Sequence, residues 1–263
     1  MTVLLRERSG HVTTLTINRP EAFNALDAAV IDALVAAATE AAADPGVRAV
    51  VLTGSGEKAF SAGADLRELA GMGPDRAREM MTAGQRAFRT LEQLSIPVIA
   101  AVNGLALGGG FELVLASTFP VLSTRATLGL PESGLGLIPG YGGTQRLPRA
   151  IGARAAAHLM LTGTRLDADR AYELGLTPVA PVPPEELLPT AVRIAEKIVA
   201  QGPAAVRAIL HALDVGRDAP LAAGLAVETG LAALAVAGTE SSEGIGAFLE
   251  RRPARFADPE VGS

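Results

Sequence analysis

The longest apolar run in this chain, Ile96 to Ser117, is interrupted by Pro97, Asn103, four glycines and one glutamate, Glu112. A run of that length raises the question of a membrane span. The interruptions answer it. They divide the run into a buried strand over Pro97–Val102, a glycine turn, and a buried helix from about Gly109 to Ser117. Glu112 then lies in apolar surroundings. Burial there disfavours the charged form and moves a carboxyl toward neutrality. Its place in a first helical turn acts the other way, because the helix dipole favours the ionised form.

A second glutamate, Glu132, follows Gly129-Leu130-Pro131, and a further glycine-rich stretch, Ile138-Pro139-Gly140-Tyr141-Gly142-Gly143-Thr144, comes soon after. Glycines permit close backbone approach, so main-chain N–H groups can be aimed at a ligand. Upstream, Ala59-Phe60-Ser61-Ala62-Gly63-Ala64-Asp65-Leu66-Arg67 has small residues at four consecutive positions before a helix start near Asp65. The first amides of a helix have no internal partner and can stabilise an oxyanion or a carbonyl. Two proton-transfer carboxyls beside free amides are the parts of an enolate-type or hydration site. Taken singly, each piece has a plainer explanation: a tight loop that packs well, or a helix N-terminus with a stabilising acid. Gly104, Gly108, Gly109 and Gly110 lack the spacing of a dinucleotide fingerprint, and Gly54-Ser55-Gly56-Glu57-Lys58 is not a phosphate loop.

The surrounding pattern is mixed. Val3–Arg8 and His11–Asn18 read as a hairpin about Ser9-Gly10, Asp27–Ala43 as an amphipathic helix, and Ala49–Thr53 as a buried strand. Gly54–Ala64 reads as a loop, Pro74–Leu94 as a helix, and Val121–Thr124 as a strand. This alternation through about residue 150 implies α/β layering. The last third reads as helices over Arg154–Leu161, Asp167–Leu174, Pro184–Ala200, Pro203–Val215, Pro220–Ala237 and Ser241–Glu250. No linker marks a sharp domain boundary, and no repeat is visible in the letters.

The chain of 263 residues has no cysteine, so disulfides, thiolate metal sites and a cysteine nucleophile are excluded. That composition fits a cytoplasmic setting. A net charge of −5 argues against nucleic acid as a partner. His11, His158 and His211 lack ligand spacing, so no metal is expected. Arg146 and Arg149, flanking Leu147-Pro148, read as structural helix-end or interface residues ahead of substrate contacts.

Taken in order, Ser61-Ala62-Gly63-Ala64-Asp65, Ile96 to Gly104, Leu107-Gly108-Gly109-Gly110-Phe111-Glu112-Leu113, Pro131-Glu132 and Ile138 to Leu147 resemble the enoyl-CoA hydratase/isomerase (crotonase) family. The resemblance runs from Asn18-Arg19-Pro20 to Glu243–Arg252 and covers essentially the whole chain. It implies an α/β fold, a spiral of β-β-α units with a C-terminal helical region. Residues 1–195 would form the core with the active site, and 196–263 a helical part for oligomerisation and coenzyme A contact. It also implies roles. Ala64 and Gly109 match the backbone N–H donors around a thioester carbonyl. Glu112 and Glu132 match the catalytic glutamates, Glu112 activating water with Glu132 sharing that task and supplying the α-proton. Gly140 lines the same pocket. Ala62, Asp65, Leu66 and Arg67 fall in the segment that contacts coenzyme A, and Phe248 and Arg251 match positions that reach the nucleotide end, often across a subunit boundary. The substrate would be an acyl-CoA thioester, with no separate cofactor, no nucleic acid and no membrane, in a homotrimer or a dimer of trimers. The apolar face of the late helices (Leu221, Leu225, Leu231, Leu234) reads as core or interface, and the resemblance favours interface.

Departures from the family pattern are Glu21, Ser117-Thr118, Tyr141 and Thr177-Pro178. They leave the glutamates and the amide positions untouched; Ser117-Thr118 reads as a local structural change, and the others bear on the substrate. The expected activity is hydration of a 2-enoyl-CoA to a 3-hydroxyacyl-CoA, in fatty-acid or related acyl-CoA degradation. The alternatives are a double-bond isomerase, a hydratase for a branched or dicarboxylic acyl-CoA, and a non-catalytic acyl-CoA-binding protein.

Overall fold

The computed structural model of the chain describes residues 2–258; Met1 and 259–263, the end of the expected C-terminal segment, lie outside the described residues. β1 (Leu4–Ser9) and β2 (Val12–Ile17) pair antiparallel about Gly10, as the hairpin read from the sequence predicts. α1 (Ala28–Ala43) starts at Asp27, whose carboxylate accepts the Val30 N–H at 2.9 Å and so satisfies one orphan amide of the first turn. Its buried residues, Val30, Ile31, Leu34, Ala38 and Ala41, form the single stripe that the 3.6-residue period demands.

A strand–strand–helix unit then recurs. β3 (Ala49–Gly54) and β4 (Ala59–Ser61) lead to α2 (Leu66–Leu69) and α3 (Pro74–Glu92). β5 (Val98–Val102) and β6 (Leu105–Leu107) lead to α4 (Gly109–Leu115). β7 (Phe119–Leu122) and β8 (Thr127–Gly129) lead, through a short 3-10 turn at Glu132–Leu135, to α5 (Gly143–Ile151). The first strand of each unit joins one sheet, in the order β1-β2-β3-β5-β7, parallel beyond the hairpin. The second strand joins a smaller sheet. The chain therefore winds as a spiral with two sheets, the fold class implied by the resemblance. After α5 come α6 (Ala153–Thr162), β9 (Leu166–Asp167), α7 (Ala168–Glu173), α8 (Pro184–Val199), α9 (Pro203–Asp218), α10 (Leu221–Ala237) and α11 (Thr239–Leu249). β9 completes the small sheet, whose order is β4-β6-β8-β9.

β3, β5 and β7 of the large sheet are buried on both faces, which explains their unbroken apolar sequence. Val50, Leu52, Ala100 and Val102 face the main core with Leu15, Ile17 and Leu34. Ala49, Val51, Ile99, Ala101 and Val121 face the other way, against Leu187, Ala191 and Ala195 of α8. α8 thus belongs to the layered body, although it spans the expected boundary at 195/196. α10, by contrast, has no buried residue, and Leu221, Leu234 and Val236 stand 79, 73 and 76% exposed. Among the described residues no single helix is long and apolar enough to cross a membrane.

β4, β6, β8 and α5 go beyond what periodicity indicates. The first three are too short for alternation to register, and Pro148 lies inside α5, where it argues against a helix. The Ser117-Thr118 departure is local and structural. The Thr118 hydroxyl accepts the Val98 N–H at 2.9 Å, and the Ser117 hydroxyl donates to the Val114 carbonyl at 2.6 Å.

The spiral depends on α4 lying directly on β4. Gly110 makes that possible: a methyl group there would stand 2.2 Å from the Ser61 carbonyl oxygen. Neither backbone can retreat without disturbing α4 or the small sheet. Gly110→Ala is expected to cost about 3 kcal/mol in unfolding free energy, the upper end of ordinary overpacking, measurable by denaturant titration.

Candidate active site

The small sheet brings the candidate residues together. β4, β6 and β8 are adjacent and mutually parallel. The chain leaving β4 reaches Ala64, the chain leaving β6 reaches Gly109, and the chain leaving β8 reaches Glu132. Three consecutive turns of the spiral thus deliver three residues to one sheet edge, at the carboxyl ends of parallel strands, where α/β folds commonly bind ligands.

The amides of Ala64 and Gly109 are both free. A bridge to Leu26 uses the flanking groups: Leu26 N–H donates to the Gly63 carbonyl at 2.8 Å, and Asp65 N–H donates to the Leu26 carbonyl at 3.3 Å. The Ala64 N–H is left without an acceptor among the described residues. Gly109 opens α4, so its N–H has no helical partner, while the neighbouring Gly108 N–H donates to the Gly129 carbonyl at 2.9 Å. The two free amides are close together: a methyl group on Gly109 would lie 3.5 Å from the Ala64 nitrogen.

Glu112, in the first turn of α4, is 1% exposed. Its Oε1 accepts the Tyr141 N–H at 2.8 Å and the Gly143 N–H at 2.7 Å. Burial, one of the two influences named from sequence, is the largest cause acting on its pKa. Loss of solvation, helped by the nearby Glu132 charge and opposed by the two N–H donors, pushes the Glu112 carboxyl up to about 7. Glu132 opens the 3-10 turn after β8 and is half-buried. Its Oε1 lies over the Gly108 turn, 3.1 Å from where a Gly108 methyl would be, and its buried Oε2 has no partner among the described residues. Burial raises its pKa too. A buried oxygen with no donor is costly as a carboxylate and is relieved by a proton.

Ala64, Gly109, Glu112 and Glu132 all line one cavity of about 1500 Å³, together with the sequence candidates Ala62, Leu66 and Gly140. Asp65 and Arg67 do not line it. They engage each other instead: Asp65 caps α2 by accepting the Arg67 N–H at 3.1 Å, and it accepts the guanidinium at 3.0 Å. Phe248, at the end of α11, and Arg251 do not line it either, and Phe248 is 81% exposed.

Sequence reasoning missed the support behind Glu112. Its two N–H donors come from the segment before α5, and that segment is clamped. Arg146 donates to the Tyr141 carbonyl at 2.6 Å and, through two nitrogens, to both oxygens of Glu92 at 2.8 Å. Gln85 donates to the Gly140 carbonyl at 2.8 Å. Glu92 also accepts from Arg217 of α9 at 2.8 Å. Burial acts to raise the Glu92 pKa, but Arg146 and Arg217 together hold it below the ordinary value. Nothing in the letters separates Glu92 from a solvated acid on an exposed helix face. Arg146 is structural, as its helical context suggests, and also lines the cavity.

The raised Glu112 pKa has a consequence for stability. The folded state holds this proton more tightly than the unfolded chain, whose carboxyl titrates near 4.5. Stability is therefore lost as pH rises from about 4.5 through about 7. Glu112→Gln keeps an acceptor for both amides and removes the titration. Its stability relative to wild type should increase by about 3 kcal/mol between pH 5 and pH 8, read from denaturation midpoints at the two pH values.

Comparison with known proteins identifies the family of the chain. A family model described as enoyl-CoA hydratase/isomerase matches residues 7–259. A crotonyl-CoA hydratase of Syntrophomonas wolfei is 41% identical over 96% of this chain and 97% of its own. A 2,3-dehydroadipyl-CoA hydratase of Escherichia coli is 40% identical over 97% of this chain and 99% of its own. The crystal structure of an enoyl-CoA hydratase from Bacillus anthracis superposes with a TM-score of 0.93 at 40% identity, covering 98% of this chain and 100% of that one. With the family model spanning nearly its whole length and relatives this similar end to end, the chain belongs to the enoyl-CoA hydratase/isomerase family.

Proposed function

We propose that this protein hydrates 2-enoyl-CoA thioesters to 3-hydroxyacyl-CoA, in acyl-CoA degradation. The observation that carries the reading is the convergence of two unpartnered amides and two buried carboxyls on one cavity. The thioester oxygen accepts from the Ala64 and Gly109 N–H groups. Each such donor contributes roughly 3 kcal/mol to stabilising the enolate that follows. That polarisation makes C3 electrophilic. Glu112 takes a proton from water as the oxygen bonds to C3, and Glu132 delivers a proton to C2. Atoms and charge balance: water is split across the double bond, and the carboxyl pair ends with the proton count it began with.

The Glu112 pKa suits a base at neutral pH. A base titrating near 7 is partly free at neutral pH and strong enough to deprotonate attacking water. Burial also raises the Glu132 carboxyl above its ordinary value. Coenzyme A is part of the substrate and no further cofactor takes part. The cytoplasmic setting belongs to the same reading, as does assembly into a homotrimer or a dimer of trimers, supported by the exposed apolar residues of α10. In that assembly the 196–263 segment carries Phe248 and Arg251 toward coenzyme A. The relatives named for crotonyl and dehydroadipyl substrates are nearly equally similar to this chain, so overall identity leaves the acyl group open.

Purified protein should bleach the enoyl thioester absorbance of crotonyl-CoA and yield a 3-hydroxyacyl-CoA; a shifted alkene as product would identify an isomerase instead. Glu112→Gln and Glu132→Gln should each lower kcat at least about a hundredfold while acyl-CoA still binds. Below pH 7 the wild-type rate should fall as Glu112 takes up its proton. Near-normal turnover in both variants would refute the assignment.

A further inference from the structure

We propose that the Tyr141 ring is the wall that sets acyl-chain length, closing the active-site cavity off from a second apolar cavity that would otherwise extend it. This rests on the acyl-CoA reading above and names its substrate class as short-chain.

Tyr141 lines both the active-site cavity and a second cavity of about 490 Å³. Ile31, Met72, Met80 and Ala83 give the second cavity its apolar walls, and its volume is in the range of small-ligand sites. Met72 also borders both cavities, but a methionine side chain is flexible and yields to a ligand. The tyrosine ring does not. It is 2% exposed and packs edge-on against Phe88, with centroids 5.3 Å apart and planes at 69°.

The ring is wedged between two backbones. A methyl group on Gly84 of α3 would lie 2.2 Å from Cε1, and one on Gly109 would lie 3.3 Å from Cδ2. The ring therefore reaches from the oxyanion amide to the helix opposite. Its hydroxyl is buried and has no partner among the described residues. Shape, not a hydrogen bond, holds it in place. An acyl group whose carbonyl sits at Ala64 and Gly109 meets this ring within a few carbons, and the space beyond is closed to it.

The test compares crotonyl-CoA with 2-decenoyl-CoA. For each protein the ratio of their kcat/KM values is measured, so that any uniform loss of activity cancels. Dissociation constants for butyryl-CoA and decanoyl-CoA give a second ratio that needs no turnover. Wild type should favour the short substrate. Tyr141→Ala should move both ratios toward the long chain, by about fourfold per methylene admitted and at least about tenfold in all. Tyr141→Phe, which keeps the ring, should retain the wild-type ratios. If the alanine variant does not fold, Tyr141→Leu serves in its place.

Ratios within about twofold of wild type in the ring-less variant would overturn the proposal. So would a wild type indifferent to chain length. A wild type that hydrates nothing, paired with a ring-less variant that gains decanoyl-CoA binding, would support the wall and refute the hydratase reading.

Discussion

A buried carboxylate that accepts two backbone N–H groups holds this site together. Glu112 reaches from the first turn of α4 to the amides of Tyr141 and Gly143, so one side chain fixes the helix and the loop before α5 relative to each other. The same bonds oppose the cost of burying the charge. They do not cancel it, and the residual imbalance leaves the group titrating near neutrality. Structural anchoring and proton exchange thus come from a single contact. Arg146 and Glu92 back it by fixing the loop from the other side.

The spiral explains why chemistry appears where it does. Each turn of the chain sends its second strand to the small sheet, and each of those strands ends in a segment that bears on the cavity. No long-range coincidence is needed to bring Ala64, Gly109 and Glu132 together, although they are far apart in sequence. Parallel pairing of β4, β6 and β8 aligns their ends. The inner strands of the large sheet, buried on both faces, supply the rigidity against which those ends are held.

Much of this was legible in the letters because the signals were strong. The hairpin turns at Ser9-Gly10 between two strand-like runs, and Asp27 caps α1 as a helix-start residue does. The two glutamates stood out as charges in apolar, glycine-rich surroundings. The spiral itself left no trace as a repeat, because its units share geometry and not residue types. β4, β6 and β8 hid for a different reason: strands of three residues are too short for alternation to register. Glu92 and Arg146 were illegible as a pair. Their partnership joins α3 to α5, and only tertiary packing distinguishes a buried ion pair from two solvated charges.

A winding fold of this kind also divides the work of change. Because each lap contributes its own reagent, one lap can be rewritten at its strand end while the others keep theirs. Swapping the residue after β8 would exchange the Glu132 carboxyl that lines the cavity and leave the amides after β4 and β6 in register. Glu112 shares its helix with the Gly109 amide, but Glu132 stands on a lap of its own, so it can be edited locally without refolding the frame.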